Sequence, residues 1–532
     1  MDQRQLTVAV AANFTPDLVR PAIAHWLGEL GIAHLVSIAP YNQLFQELID
    51  PTSLFGRTRG GINVALIRLG DWARREGQSH ARRDSEGESA EALARHVDEL
   101  LALASAYARR EGAAPLLVLL CPEPPTTRDD AARAAIFLAA ERRILAEMGS
   151  LRGVLGIGSE ALLAAYPAAI YDDPASDELG HIPYTQAFSS AMGTVVARKV
   201  RAYVEPPHKV LVLDCDNTIW SGVVGEGGAA GIVIDAVRAA IERVAVAQHE
   251  AGVLVCLVSK NVDEDVDEVF RTRAMPLARR HIIASRVSWQ PKSQSLRELA
   301  QELGLGLDAV VFADDSGVEC AEVRAGCPEV LTLELPAESA LAARALENLW
   351  AFDRWKVTAE DQKRGELYRQ NLERDRTRRE APSMAEFLAS LNLQITLAAP
   401  TPAEIPRAAQ LTFRTNQLNT TTVRRSEAEL ASLLAAGTLE ALVVTVADRF
   451  GEYGLVGVVL FDLVGDAVRA DTFLLSCRVL QRGVEHRMVA RLGEIALERG
   501  LARVLLPFVP TAKNLPAREL LRAIGEGHLD AR

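Results

Sequence analysis

Lys-Val-Leu-Val-Leu-Asp-Cys-Asp-Asn-Thr, residues 209–218, is the stretch that decides the fold. Its apolar run ends abruptly at two carboxylates one residue apart, Asp214 and Asp216, and a hydroxyl follows at Thr218. Such a run predicts a buried parallel strand, whose carboxyl end is where open α/β sheets place their chemistry. Two acids crowded there repel each other, so a divalent cation is their natural neutraliser. The stretch therefore predicts a sheet-edge metal site with an acid able to attack phosphorus.

The overall composition limits the class of protein. A chain of 532 residues is too long for one hydrophobic core, so roughly three or four domains are expected. The formal net charge of −12 argues against a general nucleic-acid binder. Six scattered cysteines without a Cys-x-x-Cys pair indicate neither a disulfide framework nor a zinc site. With no signal-peptide pattern and no membrane-spanning apolar run, a cytoplasmic protein that does not bind membranes is expected.

The order of strand-like and helical segments predicts a multidomain α/β protein. A polar stretch, Arg74–Ser89, is expected to be an exposed loop. Charges of alternating sign over 338–378 predict a solvated connecting helix. The predicted domains are, in order, an α/β domain at 1–204, a parallel-sheet domain at 205–336, a charged helical connector at 337–392 and an α+β domain at 393–532.

Four polar segments of the second domain each follow a strand-like run, and parallel strands would bring them to one edge of the sheet. There Asp214 would be the nucleophile and a metal ligand. Asp216 would give and take the leaving-group proton and help hold the metal through its backbone carbonyl. Asp314 and Asp315 would complete an oxygen-rich shell suited to Mg²⁺. The predicted phosphate-binding residues are Thr218, Ser259, Lys260, Asn261 and Lys292.

An alternative interpretation applies to each segment taken alone. Asp, Asn and Thr after a strand are also common in turns and helix caps. Four such segments in order, each at a strand end and with a lysine in the third, favour the phosphoryl site.

Two of these segments resemble those of a known family. Asp-Cys-Asp-Asn-Thr-Ile-Trp-Ser-Gly-Val-Val-Gly-Glu (214–226) and Val-Ser-Lys-Asn (258–261) resemble the haloacid-dehalogenase-like phosphotransferases and, more narrowly, the FkbH-like proteins. The resemblance extends to Arg-Thr-Asn-Gln-Leu-Asn (414–419), to 448–454 and to 475–480, roughly 205–520 in all. Asp-Asp-Ser-Gly (314–317) departs from the family's Asp-Asp-Asn-Pro, which alters the turn and keeps both acids. The resemblance implies a Rossmannoid parallel sheet with Mg²⁺ as cofactor.

The resemblance also implies an activity. FkbH-like proteins take 1,3-bisphosphoglycerate, release phosphate and deliver a glyceryl unit to an acyl carrier protein in polyketide pathways. On this basis the chain is expected to be a glyceryl transferase/phosphatase. Two alternatives stay open: a simple phosphatase of a small phosphorylated metabolite, and a non-catalytic scaffold in a biosynthetic complex.

A strand-loop-helix pattern near the C-terminus suggests a second site. Strand 471–476, loop 477–483 and helix 484–499 would aim backbone N–H groups and the helix dipole at an anion. The region is similar to the GNAT acyltransferase fold, whose Arg-x-x-Gly-x-Gly loop binds phosphate. Arg478 and Gly483 match the ends of that loop, whereas Gln481 replaces its first glycine. The similarity implies Arg478, Arg482 and Gly483 as carrier- or pantetheine-binding residues; an ordinary strand-to-helix connection is the alternative.

Other residues of this region are candidates on chemical grounds. Cys477 lies beside an arginine and a helix N-terminus, which favour thiolate, so it could carry a glyceryl thioester; a small buried core residue is the alternative. The arginines in and after the loop could dock an acidic carrier protein or form a solvated helix face. Weaker candidates are His486 as a base, and Asn416 and Asn419 as substrate or turn ligands.

The N-terminal domain carries one weak motif. Asp177-Glu-Leu-Gly-His181 is loosely similar to the Asp-x-x-His end of SGNH hydrolases, with a spacing one residue longer. The opening Ala-Ala-Asn13-Phe-Thr lacks the nucleophilic serine of those enzymes. A degenerate SGNH-like α/β domain that aids partner docking is therefore expected, with His181 as a structural or binding group.

Overall fold

The computed structural model describes residues 5–73, 86–336, 339–356, 364–511 and 514–525. The chain divides into two compact units, Met1–Gly365 and Glu366–Arg532. The expectation of a multidomain α/β protein with parallel sheets is confirmed. Among the described residues, no helix combines the length and the apolar character needed to cross a bilayer.

Five parallel strands in the order β2-β1-β3-β4-β5 form the first sheet. β3 and β4 are buried along their whole length because helices cover both faces of the sheet. The strands are β1 Leu6–Ala12, β2 His34–Ile38, β3 Ile62–Arg68, β4 Leu116–Cys121 and β5 Val154–Ile157. The helices are α1 Arg20–Glu29, α2 Leu44–Ile49, α3 Leu54–Arg57, α4 Leu69–Trp72, α5 Glu86–Ala108, α6 Pro125–Arg128, α7 Ala131–Gly149, α8 Ser159–Ala165, α9 Pro174–Gly180 and α10 Gln186–Val204.

One predicted loop of this domain ends earlier than expected. Residues 86–89 of the predicted stretch Arg74–Ser89 already belong to α5, and residues 74–85 lie outside the described part of the chain. Apolar residues at Leu93, Val97 and Leu100 follow helical spacing and pack into the core. The charged residues before them form the first turn of the same helix.

A second sheet of five parallel strands has the order β10-β9-β6-β7-β8. Its central strand, β6, pairs with both β9 and β7, so the residues after β6 lie between two other strand ends. The strands are β6 Val210–Leu213, β7 Leu254–Ser259, β8 Ile282–Val287, β9 Val310–Asp314 and β10 Leu331–Glu334. The helices are α11 Val224–Gly231, α12 Ala236–Glu250, α13 Asp263–Thr272, α14 Lys292–Leu303, α15 Gly317–Gly326 and α16 Ser339–Glu347.

The segment predicted as a solvated connector behaves differently in its first part. Ala342, Ala343 and Leu346 of α16, followed by Phe352, are buried in the core of the central sheet. The next long helix is α17, Arg364–Glu380, and residues 357–363 are not among those described. The structure differs from the prediction because the apolar residues of α16 recur at helical spacing and pack on one face of the central domain.

An antiparallel sheet of order β11-β13-β14-β15-β12, with β16 parallel to β15, forms the core of the second unit. The strands are β11 Gln394–Ala398, β12 Leu418–Asn419, β13 Glu440–Asp448, β14 Gly451–Val464, β15 Ala467–Leu475 and β16 Arg503–Leu505. The sequence predicted one helix here, at 484–499, and the structure has further helices that cover both sheet faces. The helices are α18 Met384–Ser390, α19 Ile405–Arg414, α20 Glu427–Ala435, α21 Val484–Glu498 and α22 Leu515–Ile524.

Candidate active site

The polar segments of the central domain lie together at the carboxyl edge of its sheet. Asp214 directly follows β6, Ser259 ends β7 and Asp314 ends β9. Lys292 begins α14, which follows β8. Because β9, β6, β7 and β8 are parallel neighbours, their carboxyl ends share one edge, as the sequence predicted.

Lys292 bridges the two central acids. Its Nζ lies 2.7 Å from Asp214 Oδ1 and 2.6 Å from Asp314 Oδ2. All three residues are buried, with relative exposures of 3%, 5% and 1% for Lys292, Asp214 and Asp314. The ammonium also lies 5.7 Å from the centre of the Phe312 ring, a residue that sequence reasoning missed. A buried charge of this kind is stable when it is paired and hydrogen-bonded, as it is here.

Three carboxylates at this edge fit a divalent cation. Asp214, Asp314 and Asp315 each offer an oxygen, and these oxygens lie within 4.8 Å of one another. Lys292 balances the charge of one acid, so two further negative charges need compensation when all three are ionised. An all-oxygen ligand set suits Mg²⁺ better than a soft metal. The residues present therefore fit the predicted ion.

The electrostatics of the site depend on burial. Burial, reinforced by the charge of Asp314 and opposed by Lys292, raises the pKa of Asp214 to about 7. Burial also raises the pKa of Asp315 above its ordinary value. Burial disfavours the charge on Lys292, but Asp214 and Asp314 outweigh it and raise the pKa of the ammonium. A divalent cation would favour the ionised acids, in the direction opposite to burial.

Asp216 lies outside the group of three acids and has its own partners. Its Oδ1 accepts hydrogen bonds from Trp220 Nε1 at 2.8 Å and from the backbone N–H of Val224 at 3.2 Å. Its Oδ2 accepts one from Asn261 Nδ2 at 3.0 Å. The carboxylate of Asp216 is therefore not part of the described cluster that fits a metal ion. Trp220 is part of the sequence motif 214–226, but the sequence did not indicate its contact with Asp216.

The predicted phosphate-binding residues contact different acids around the site. Thr218 donates to Asp315 Oδ1 at 3.0 Å, and Lys260 forms a 2.7 Å ion pair with Glu319, so these two contact acids of the fourth segment or the helix after it. Asn261 contacts Asp216 and Ser259. Among these residues, and within the described part of the chain, Lys292 is the one that contacts two of the three acids that fit a metal ion, Asp214 and Asp314.

The predicted anion loop of the second unit has an unusual backbone. Gly483 precedes α21 with φ of 81°, and Gln481 has φ of 59°. Both lie in the left-handed region, which glycine adopts freely and glutamine rarely does. The side chain of Cys477 lies outside the described part of the structure; its backbone begins a short 3-10 turn, Cys477–Val479. Arg478 Nε donates to Ser476 Oγ at 3.4 Å.

Arg482 contacts a buried network that the sequence did not reveal. It donates to the hydroxyl of Tyr453, which in turn donates to Asp448 Oδ2 at 2.7 Å. Asp448 also forms a two-bond ion pair with Arg374 of α17, at 2.7 and 2.9 Å. Although burial opposes it, the hydrogen bonds from Arg374 and Tyr453 lower the pKa of Asp448. The motif at 448–454 thus fastens α17 to the sheet.

The arginines of the helix after this loop, predicted either to dock a carrier or to form a solvated face, pair with acids of the same helix. Arg487 and Arg491 pair with Glu494 at 2.6 and 2.9 Å, and Arg491 also pairs with Glu498. His486 is exposed. Glu485, in the first turn, is buried, and its Oε2 has no hydrogen-bond partner among the described residues. A carboxylate at that position disfavours a second anion at the same helix end.

The remaining candidates contribute to structure. Asn419 is fully buried; it donates to the carbonyl of Thr415 and accepts from the N–H of Thr422. Asn416 accepts a hydrogen bond from Arg424 at 2.5 Å. Both asparagines are therefore engaged in the turn that contains β12, the alternative that the sequence left open.

Asp177 and His181, the two residues of the Asp–His motif in the first domain, contact different residues. Asp177 Oδ2 accepts a hydrogen bond from Arg68 at 2.8 Å. His181 ends α9 with a left-handed φ of 52°, and its ring lies 5.6 Å from that of Tyr41. Asn13 exchanges two hydrogen bonds with the backbone of Arg68. At this edge of the first sheet, Arg68 thus contacts both Asp177 and Asn13.

Comparisons with known proteins identify a shared fold. No protein-family model matches the chain, and the search among curated proteins found no significant match. The N-terminal part of the protein BF1531 from Bacteroides fragilis, which contains a phosphatase domain complexed with Mg, matches with a TM-score of 0.56 and 20% identity, over 66% of this chain and 95% of that one.

Smaller matches involve acetyltransferases. The ribosomal-protein-alanine N-acetyltransferase from Brucella melitensis biovar Abortus 2308 is 20% identical over 25% of this chain and 90% of its own, with a TM-score of 0.20. The ribosomal-protein-S18-alanine N-acetyltransferase from Escherichia coli is 17% identical over 25% and 77%, also at 0.20. TM-scores as low as these do not establish a shared fold. The Bacteroides fragilis match establishes that the chain shares the fold of a protein containing a phosphatase domain.

Proposed function

We propose that the chain is a Mg²⁺-dependent phosphatase and acyl transferase of the haloacid-dehalogenase-like type. Its finer activity is then that of a glyceryl transferase/phosphatase, which takes 1,3-bisphosphoglycerate and loads an acyl carrier protein. The contact of Lys292 with Asp214 and Asp314, beside Asp315, is the observation that carries the proposal. The Mg bound by the Bacteroides fragilis phosphatase domain supports the choice of ion.

The arrangement supports a two-step phosphoryl transfer. A carboxylate oxygen of Asp214 attacks the phosphorus of the substrate's phosphate monoester, and the bond from phosphorus to the ester oxygen breaks with its electron pair on that oxygen, which leaves the acyl phosphate intact for transfer. Asp216 supplies a proton to the leaving oxygen and later takes one from the attacking water, which restores Asp214. Lys292 holds the orientation of Asp214 and adds positive charge next to the phosphoryl oxygens. Asp214, Asp314 and Asp315 would hold Mg²⁺, which would neutralise negative charge at this edge of the sheet.

The transfer half of the proposal is assigned to the second unit. A GNAT-like arrangement would place the carrier arm at the loop before α21, with Arg478, Arg482 and Gly483 as its ligands. The thiolate of Cys477 would attack the acyl carbon of the acyl phosphate, and the bond from that carbon to the phosphate oxygen would break as phosphate leaves. The thiol of the carrier would then attack the same carbon and release Cys477. The SGNH-like first domain would then aid docking of the carrier. The left-handed Gly483 at the start of α21 supports a loop that opens onto helix N–H groups.

A mass measurement tests the whole proposal. The purified chain is incubated with Mg²⁺, 1,3-bisphosphoglycerate and a carrier protein, and the intact carrier is then weighed. A glyceryl adduct on the carrier, with release of phosphate, is the expected result. Peptide mapping of the enzyme identifies any acyl group on Cys477. Phosphate release without an adduct on either protein would reject transfer and leave the phosphatase half standing.

A simple phosphatase of a small metabolite is the second candidate. The pairing of Arg487 and Arg491 with Glu494 favours it, because these arginines are then poor ligands for an acidic carrier. Phosphate release that is independent of carrier protein and unaffected by Cys477→Ala would support it. A non-catalytic scaffold would bind no Mg²⁺, and the three-acid group counts against it.

A further inference from the structure

Asp216 is held by three N–H donors that use most of its acceptor capacity. Trp220 Nε1 and the Val224 N–H both donate to Oδ1, at 2.8 and 3.2 Å. Asn261 Nδ2 donates to Oδ2 at 3.0 Å. A carboxylate oxygen accepts about two hydrogen bonds, so Oδ1 is saturated and Oδ2 has one acceptor position left. The proton that Asp216 exchanges with a substrate therefore belongs on Oδ2.

The donors themselves are firmly placed. Trp220 is fully buried, and its ring meets that of Phe270 edge to face at 6.2 Å. A turn at Asn217, which has a left-handed φ of 55°, brings Trp220 back to Asp216. The Oδ1 of Asn217 accepts a hydrogen bond from the N–H of Gly222 at 3.0 Å, which stabilises this turn. Because a buried indole in a packed core has few alternative rotamers, its N–H points in a fixed direction.

Asn261 links the two halves of the site. It is 3% exposed, and its Nδ2 donates to Ser259 Oγ at 3.1 Å as well as to Asp216. Ser259 ends β7, next to β6 and Asp214. One amide group thus links Asp216 to the end of β7, the strand beside the one that Asp214 follows.

We propose that Trp220 and Asn261 are positioning residues that hold Asp216 Oδ2 toward the leaving oxygen of the substrate. The inference rests on the proposed phosphoryl transfer and adds two residues to it. As the phosphorus–oxygen bond breaks, the leaving oxygen keeps the bonding electrons and takes the proton from Oδ2. In the second step, water attacks phosphorus and returns a proton to Oδ2, while Asp214 recovers the electrons of its bond to phosphorus. No co-reactant besides water is needed.

Leaving groups of different basicity test the inference. A phenolate leaves poorly without a proton, whereas 4-nitrophenolate leaves well without one, so misplacing Asp216 affects phenyl phosphate more. With Mg²⁺ present, kcat/KM is measured for both esters in Trp220→Phe and Asn261→Ala. We expect each variant to lose about tenfold more on phenyl phosphate than on 4-nitrophenyl phosphate. Phe270→Leu, which alters the packing of Trp220 and keeps its N–H, should affect both esters equally.

Each outcome decides a different point. Equal losses on the two esters in both variants, or no loss, would overturn the inference and leave the phosphatase intact. If Trp220→Phe does not fold, Asn261→Ala alone carries the decision. If the unsubstituted chain with Mg²⁺ releases neither phenol nor 4-nitrophenol from the esters, nor phosphate from 1,3-bisphosphoglycerate, the proposed function fails, and the inference fails with it.

Discussion

The two parallel sheets of the first unit have five strands each, and in each a buried cation lies between acids at the carboxyl edge. In the central sheet, Lys292 contacts Asp214 and Asp314. In the first sheet, Arg68 contacts Asp177 and lies 3.8 Å from Asp71, and Asn13 after β1 bonds to the backbone of Arg68. In both sheets, therefore, side chains of the protein meet at strand ends where such folds bind ligands.

The two sheets differ in the number of carboxylates at their strand ends that could share an ion. In the first sheet, β1 and β3 meet at the point where the strand order reverses, and the Asn13–Arg68 bonds fill that position. In the central sheet, Asp315 adds a third carboxylate within reach of Asp214 and Asp314, and Lys292 balances one charge. Among the described residues, the acids close enough to share an ion are those of the central sheet. The same architecture thus supports a closed structural cluster and a group of acids that fits an ion, since function depends on the site rather than on the fold.

Asp214→Asn should have the largest effect on this comparison. Removing the nucleophilic oxygen should lower Mg²⁺-dependent phosphate release by about 1,000-fold or more. Phosphate release is measured with an assay for inorganic phosphate. The matched control is Asp177→Asn in the first sheet, which should leave phosphate release per folded molecule unchanged. Full activity of Asp214→Asn would mean that the two edges do not differ in chemistry.

Asp177→Asn should instead affect stability. The pair of Arg68 and Asp177 is buried, with side-chain exposures of 4% and 7%. Removing one charge leaves the guanidinium underpaired, so the free energy of unfolding should fall by about 3 kcal/mol. Urea denaturation followed by fluorescence measures it. An unchanged midpoint would show that Arg68 does not depend on Asp177.

Lys292→Met separates charge balance from catalysis at the central edge. Loss of the ammonium should reduce phosphate release by about 100-fold, because positive charge beside the phosphoryl oxygens is lost. The same change leaves the acids more negative, so Mg²⁺ should raise the melting temperature of the variant more than that of the unsubstituted chain. Calorimetry with and without Mg²⁺ tests this second effect. A smaller Mg²⁺ shift in the variant would contradict the role of the acids as ligands.

Another buried acid, Glu242 of α12, also has its pKa raised by burial. Its Oε2 accepts from the N–H of Leu277 at 2.9 Å, and burial raises the pKa of its carboxyl to about 7. A folded-state pKa above the ordinary 4.5 means that stability falls as pH rises from about 4.5 to about 7, because the folded state retains the proton longer.

Glu242→Gln should remove this smaller pH dependence. Between pH 5 and pH 8 the unsubstituted chain should lose about 2 kcal/mol of unfolding free energy through ionisation of Glu242, and the variant should not lose it. The unfolding free energy of the variant minus that of the unsubstituted chain should therefore increase by this amount. Urea denaturation at the two pH values provides the measurement. A difference between the two proteins that is the same at both pH values would show that Glu242 titrates normally.

Much of the central site could be predicted from local patterns. Apolar runs that end in Asp214, Ser259 and Asp314 indicate parallel strands, and such strands necessarily share an edge. The order of these segments along the chain therefore predicted their meeting in space. The short strand β5 and the helices α19 and α20 were not predicted, because brief apolar runs do not show a clear period.

The details of the site depended on three-dimensional neighbours. Lys260 and Asn261 follow Ser259 in the same segment, yet one pairs with Glu319 and the other with Asp216. Nothing in the spacing distinguishes them, since side-chain direction after a strand depends on the turn and on the helices packed above it. The hydrogen bond from Trp220 to Asp216 likewise depends on a turn, in which Asn217 has a left-handed backbone conformation that the sequence did not predict.

By itself, the sequence determined that acids and a lysine would gather at the carboxyl edge of a parallel sheet, because strand polarity and hydrophobic burial leave no other place for them. The tertiary structure alone decided which residue contacts which acid. It assigned Lys292 to the metal group, Trp220 and Asn261 to Asp216, and Arg68 to Asp177. The physical reason is that burial obliges each charge to find a partner, and only packing between distant segments determines which partner lies within reach.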